Sequence, residues 1–237
     1  MYPNTGVSPM DLALFPHLEG VMDVIYNPAR TQLLLDAEQR GIPAINGLYM
    51  LVAQAKAAAE WFTDAPIPGA KIAEIHAFLQ AQMENIILIG MPGCGKSTVG
   101  RLLAEQTGRI FVDTDAEIEK MAKKIIPHIF AEDGEEVFRD YETKVLEKLG
   151  KASGLVISTG GGCVTQARNY SYLHQNGVVY WLQRDLEKLP THGRPLSTDL
   201  AAMYRTRAPL YARFADYRID NNGALPDAVN AILEEHL

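Results

Sequence analysis

Hydrophobic and polar positions follow two styles along this chain, and the change falls near residue 85. Before it, apolar residues recur mostly at helical spacing. Val21–Tyr26 is the exception, a short apolar run that predicts a buried strand. Asn27-Pro28 breaks the run, and Pro28 suits the first turn of a helix. Leu33, Leu34, Leu35 and Ala37 give that helix an apolar side, and Gly41 stops it. A second helix is predicted from Gly47 to Thr63, with Leu48, Leu51, Val52, Ala55 and Ala59 at helical spacing. The breaker Asp64-Ala65-Pro66-Ile67-Pro68-Gly69 separates it from a third, which carries Ile72, Ile75, Phe78 and Leu79 on one face and ends near Met83.

From Asn85 onward the apolar residues come in continuous runs: Asn85–Gly90, Arg109–Asp113, Leu155–Thr159, Val178–Leu182 and Tyr217–Asp220. Runs of that kind fit strands of a parallel sheet, buried on both faces. Helical stretches separate them, over Lys96–Thr107, Ala116–Lys124, Glu136–Leu149, Gln166–Gln175, Thr198–Phe214 and Pro226–His236. The alternation predicts an α/β domain, a five-stranded parallel sheet with helices on both faces. A mostly helical segment with one strand precedes it.

Composition narrows the picture. At about 150 residues per domain, 237 residues allow one or two domains. Hydrophobic residues at 47% and charged residues at 22% exclude wholesale disorder and fibrous classes. The net charge of −7 argues against a nucleic-acid backbone binder, which needs a basic face. That charge is uneven, −5 over residues 1–84 and −2 over residues 85–237, a hint of two units of different origin. Cys94 and Cys163 make no disulfide framework and suit a reducing cytosol. Met1-Tyr2-Pro3-Asn4-Thr5 lacks the basic-then-apolar layout of a signal peptide. The most apolar stretch, Leu48–Phe62, is interrupted by Gln54, Lys56 and Glu60. A cytoplasmic protein without a membrane or nucleic-acid partner is expected.

The chemistry begins at the end of the first apolar run. Gly90-Met91-Pro92-Gly93-Cys94-Gly95-Lys96-Ser97 matches G-x-x-x-x-G-K-[ST], between a strand and a helix. The glycines let backbone N–H groups wrap phosphates, the helix N-terminus adds a favourable dipole, and Lys96 reaches the outer phosphates. Ser97 should put its hydroxyl on Mg²⁺. Asp113 and Asp115 stand at the carboxyl end of the second run, where open α/β sheets bind ligands. One can hold the Mg²⁺ shell and the other take a proton from an acceptor hydroxyl, unless Asp115 merely caps the helix starting at Ala116. Gly160-Gly161-Gly162 follows the third run and leaves room for a ligand at the backbone. Arg139, Arg194 and Arg207 are candidate partners for carboxylate or phosphate, with Arg194 in a loop that could act as a lid.

Taken in order, these words resemble shikimate kinase over residues 85–237: Gly90–Thr98, Asp113-Thr114-Asp115, Phe138-Arg139 with Glu142, Gly160–Gly162, Arg194-Pro195-Leu196, and Arg207 with Pro209-Leu210-Tyr211. The resemblance implies transfer of the ATP γ-phosphoryl group to the 3-hydroxyl of shikimate, with Mg²⁺. It implies Asp115 as the base on that hydroxyl, Asp113 with Ser97 on the metal, and Arg139, Arg207 and the glycine triplet around the shikimate carboxylate. Arg194 and Lys96 would meet the transferred phosphate. The approach to the lid, Leu189-Pro190-Thr191-His192-Gly193, is short, and neither it nor Asn221-Asn222-Gly223 carries the basic residue that in the family stacks on adenine. The alternatives are another P-loop small-molecule kinase, gluconate-like or acting on a nucleoside monophosphate, and a non-catalytic nucleotide-binding module. No N-K-x-D base-reading word is present.

Residues 1–84 resemble the C-terminal end of shikimate dehydrogenase. The matching words are Met1-Tyr2-Pro3-Asn4, Asp23-Val24-Ile25-Tyr26-Asn27-Pro28, and Gly47-Leu48 through Met50-Leu51-Val52 to Gln54. No G-x-G-x-x-G/A turn precedes them, so no dehydrogenase activity is expected. The apolar faces of such a fragment need a partner. It is expected to dock on the kinase part, pair with a second copy, or stay partly disordered.

Overall fold

The computed structural model describes residues 5–189 and 200–236. The sheet domain holds five parallel strands: β3 (Asn85–Ile89), β4 (Ile110–Asp113), β5 (Leu155–Ser158), β6 (Gly177–Gln183) and β7 (Tyr217–Asp220), in the order β4-β5-β3-β6-β7. All five residues of the central β3 are buried, as its unbroken apolar run requires. Its register fixes the carboxyl edge of the sheet, with Leu88 opposite Ser158 of β5 and Ile89 opposite Trp181 of β6.

The helices are α4 (Lys96–Thr107), α5 (Thr114–Ala122), the single turn α6 (Ile126–His128), α7 (Gly134–Gly150), α8 (Asn169–His174), α9 (Leu200–Phe214) and α10 (Leu225–His236). The chain steps one way from β3 to β4 and the other way from β4 to β5, β6 and β7. Right-handed crossovers therefore set α4 on one face and α5, α7, α8 and α9 on the other. One core, from Ile86 to Ile232, fills the domain.

The segment before it contains β1 (Val21–Met22), α1 (Gln32–Gln39), β2 (Ala44–Ile45), α2 (Leu48–Thr63) and α3 (Ala70–Met83). Three helices form as expected, but there are two strands instead of one, paired in parallel. β2 is two residues long, too short to show a period. The strand at Val21 stops at Met22 rather than Tyr26. Pro28 lies outside α1, because the N–H groups of Ala29 and Arg30 donate to Asn176 Oδ1 (2.7 Å) and the Gln175 carbonyl (2.8 Å). The helix starts only after Thr31, whose hydroxyl caps it.

Those bonds answer where the segment goes: it docks on the sheet domain. Arg30 Nη2 also donates to the Gly177 carbonyl (2.8 Å), and Arg109 donates to the carbonyls of Ala81 and Glu84 at the end of α3. Gln175 and Asn176 lead into β6, which begins at Gly177, so the dock lies at the amino ends of the strands. Among the described residues no helix is long and apolar enough to cross a membrane.

Candidate active site

At the opposite edge, β3 runs into Gly90 and the loop that ends at α4. Gly95 holds φ +102°, a backbone state that glycine adopts without strain. It turns the chain so that the first N–H groups of α4 face the loop. Lys96 lies folded under this loop, and its Nζ donates to the carbonyls of Gly90 (2.9 Å) and Met91 (3.0 Å). Met91 and Cys94 are buried beneath it, while Thr98 is exposed on the first turn of the helix.

The carboxylates meet this loop from β4. Ser97 Oγ donates to Asp113 Oδ2 at 2.8 Å and lies 3.2 Å from Ser158 Oγ at the end of β5. Asp113 Oδ1 accepts from the N–H of Asp115 (3.0 Å), so Asp113 is the cap and α5 starts at Thr114. Asp115 is thereby released from the capping role considered for it. Surrounding protein and the Asp113 carboxylate push the Asp115 carboxyl above its ordinary value, although one side stays open to solvent; Lys96 and Arg139 pull the other way.

The glycine triplet closes the far wall. A Cβ on Gly160 would lie 3.0 Å from both Asp115 Oδ1 and Glu142 Oε1. One on Gly161 would lie 2.8 Å from the Pro92 ring, and one on Gly162 would lie 2.7 Å from Arg139 Cζ. A side chain at Gly161 or Gly162 would require Pro92 or the Arg139 guanidinium to shift, and one at Gly160 would press on both carboxylates, so the turn sits flush against carboxylate, guanidinium and phosphate loop together. From α9, Arg207 Nη1 (3.2 Å) and Tyr211 Oη both donate to the Gly161 carbonyl.

Arg139 is held by its own helix. Its Nη1 donates to Glu142 Oε2 and its Nη2 to Glu135 Oε1, each at 3.0 Å. Glu142 is fully buried, and Oε1 has no hydrogen-bond partner among the described residues. Burial pushes its carboxyl up to about 7, against the pull of Arg139. Glu142 belongs to the words that resemble shikimate kinase, without a role of its own there. The signal was the three-residue spacing from Arg139, which stacks the two on one helix face.

A family model described as shikimate kinase matches residues 92–236. The chain belongs to the shikimate kinase family. A shikimate kinase from Prochlorococcus marinus is 42% identical over 165 residues, covering 65% of this chain and 82% of the relative. One from Gloeobacter violaceus is 46% identical over 157 residues, covering 61% and 87%. Among solved structures, the shikimate kinase from Acinetobacter baumannii in complex with shikimate superposes with a TM-score of 0.61 at 38% identity, covering 67% of this chain and 94% of that one. The expected fold is thereby borne out for the kinase part.

Of the kinase residues expected from sequence, the structure gathers Gly90–Thr98, Asp113, Asp115, Arg139, Gly160–Gly162 and Arg207 at one edge of the sheet. Arg194, expected as the lid arginine, lies outside the described residues.

Proposed function

We propose that this chain transfers the γ-phosphoryl group of ATP to the 3-hydroxyl of shikimate. One observation carries the reading: a carboxylate able to take a proton, Asp115, and a guanidinium able to bind a carboxylate, Arg139, abut one three-glycine turn whose third neighbour is the phosphate loop. Phosphoryl transfer asks for positioning and charge stabilisation more than for covalent chemistry. Backbone N–H groups of Gly93–Ser97 and the Lys96 ammonium hold the phosphates. Asp115 accepts the proton of the attacking hydroxyl, and its raised pKa makes it a better base near neutral pH. Arg139 and Arg207 bind the acceptor's carboxylate beside Gly160–Gly162. Glu142 fixes the Arg139 fork from behind. Arg194 is assigned to the transferred phosphate.

Ser97 Oγ and Asp113 Oδ2 offer adjacent hard oxygen atoms beside the loop, a donor set that fits Mg²⁺. That ion keeps waters and shares phosphate oxygens instead of needing a protein cage. Bound with the nucleotide, it would neutralise charge on the phosphates.

We divide the chain into residues 1–84 and 85–237. The first part is inferred to be a dehydrogenase-derived appendage without dehydrogenase activity, available for self-association. Its dock at the amino ends of the strands leaves the carboxyl edge free. The buried, unpaired thiols suit a cytoplasmic setting. The test is ADP release by the full chain with ATP and Mg²⁺: it should require shikimate. Release driven instead by gluconate or a nucleoside monophosphate, or by no acceptor at all, overturns the assignment.

A further inference from the structure

Arg184 is the first residue beyond β6, at the carboxyl edge of the sheet. Its Nε is buried and has no hydrogen-bond partner among the described residues. A buried guanidinium N–H left unpaired is unfavourable unless water or a ligand satisfies it. The adjacent carboxylate, Asp185, turns away to Asn222 Nδ2 (3.2 Å) and Lys188 Nζ (3.5 Å).

The place is as informative as the missing partner. Arg184 Nη1 lies 3.8 Å from where a Cβ on Gly95 would stand, and Asn221 Nδ2 lies 2.8 Å from the same point. Asn221 in turn donates to the Cys94 carbonyl at 2.6 Å. A Cβ on Gly90 would fall 2.6 Å from the Leu182 carbonyl, so the end of β6 runs against both ends of the phosphate loop. The Asp185 N–H donates to Asn222 Oδ1 (2.9 Å), which ties the exit of β6 to the exit of β7. Arg184 therefore stands on a braced wall.

The two sides of the loop now divide. Asp113, Asp115 and the glycine triplet lie on its β4–β5 side, where the acceptor is placed. A nucleotide whose terminal phosphate faces Asp115 must extend its other end away, toward β6 and β7. We infer that Arg184 is a nucleotide-binding residue that donates to the inner phosphates of ATP from the β6–β7 side. This rests on the reading of the site as an ATP-dependent kinase. A fork with a free N–H beside a phosphate loop suits a phosphate oxygen, which accepts charge-assisted bonds.

The test compares the full-length wild type with Arg184→Gln and Arg184→Lys, by steady-state kinetics in both substrates and by calorimetric titration with ADP. In the glutamine variant the KM for ATP and the Kd for ADP should rise about tenfold, the worth of one charge-assisted hydrogen bond. The KM for shikimate and the Tm should stay at wild-type values. The lysine variant, which keeps the charge and loses the fork, should bind ADP with intermediate affinity, and it decides the matter if the glutamine variant fails to fold. Equal ADP affinity in all three proteins overturns the proposal, and so does an equal rise in both KM values. Failure of the kinase reading would show differently, as a wild type that binds ADP but releases none from ATP in response to shikimate.

Discussion

In the sheet domain, β3 is buried at every position, and α7 buries eight of its seventeen residues. In the preceding segment α3 buries none of its fourteen, and α2 only Leu48 and Val52. Trp61 and Phe62 are each 90% exposed, and Phe78 is 64% exposed. Both regions carry apolar faces at regular spacing. In the first, each face meets a neighbour supplied by the same topology. In the second, α1 meets β1 and β2 around Leu12, Leu33 and Ala37, and α2 packs on α3, but the outward faces that carry Trp61, Phe62 and Phe78 stay bare. Periodicity announces that a surface is meant to be covered, and says nothing about whether the chain supplies the cover.

The sharpest way to separate the two regions is to strike the one that is argued to do the chemistry. Asp115→Asn should lower kcat by roughly 10²–10⁴-fold, the usual worth of a positioned base. ADP binding by calorimetry should be unaltered, and wild-type turnover in this variant would remove Asp115 from its role.

A smaller effect concerns the buried pair behind Arg139. Glu142 titrates near 7 in the folded protein, against an ordinary value of 4.5. The folded state therefore binds its proton more tightly than the unfolded state does. The stability it contributes is present in full below about pH 4.5 and is lost as pH rises through 7. Glu142→Gln should flatten the fall in Tm between pH 5 and pH 8, by about 2–4 °C for each kcal/mol removed at this chain length. Identical slopes in the two proteins would mean that Glu142 does not titrate in that window.

The least effect on catalysis is expected from the other region. Trp61→Ser combined with Phe62→Ser should leave kcat within about twofold, since exposed positions away from the site contribute little. It should also lower the mass of the chain in sedimentation, if wild type pairs through this face. A monomeric wild type would end the self-association reading, and a large loss of kcat would end the functional separation of the two regions.

Much of the kinase part was legible before any coordinates. Tyr217–Asp220 and Lys96–Thr107 begin and end where the pattern places them, because an apolar run between breakers and a helix behind a phosphate loop are both local signals. The turn from Ile126 to Asp133 was not legible, since a single α-turn followed by a π-turn has no period long enough to read. Glu142 illustrates a different gap. Its spacing from Arg139 is written in the sequence, but its close approach to the Gly160 backbone, eighteen positions further on, is not. The dock through Ala29 and Arg30 joins residues almost 150 positions apart, a distance at which hydrophobic spacing carries no information.

The chain enters the five-stranded sheet through its middle strand, at the edge turned away from the phosphates. The segment that precedes Asn85 is thus delivered at the edge opposite the phosphate loop, where Ala29 and Arg30 meet Gln175, Asn176 and Gly177. An enzyme of this build tolerates inheritance at its front end. Polypeptide joined there reaches the site only through the register of β3, so it leaves the phosphate loop undisturbed as long as Asn85–Ile89 stay paired with β5 and β6.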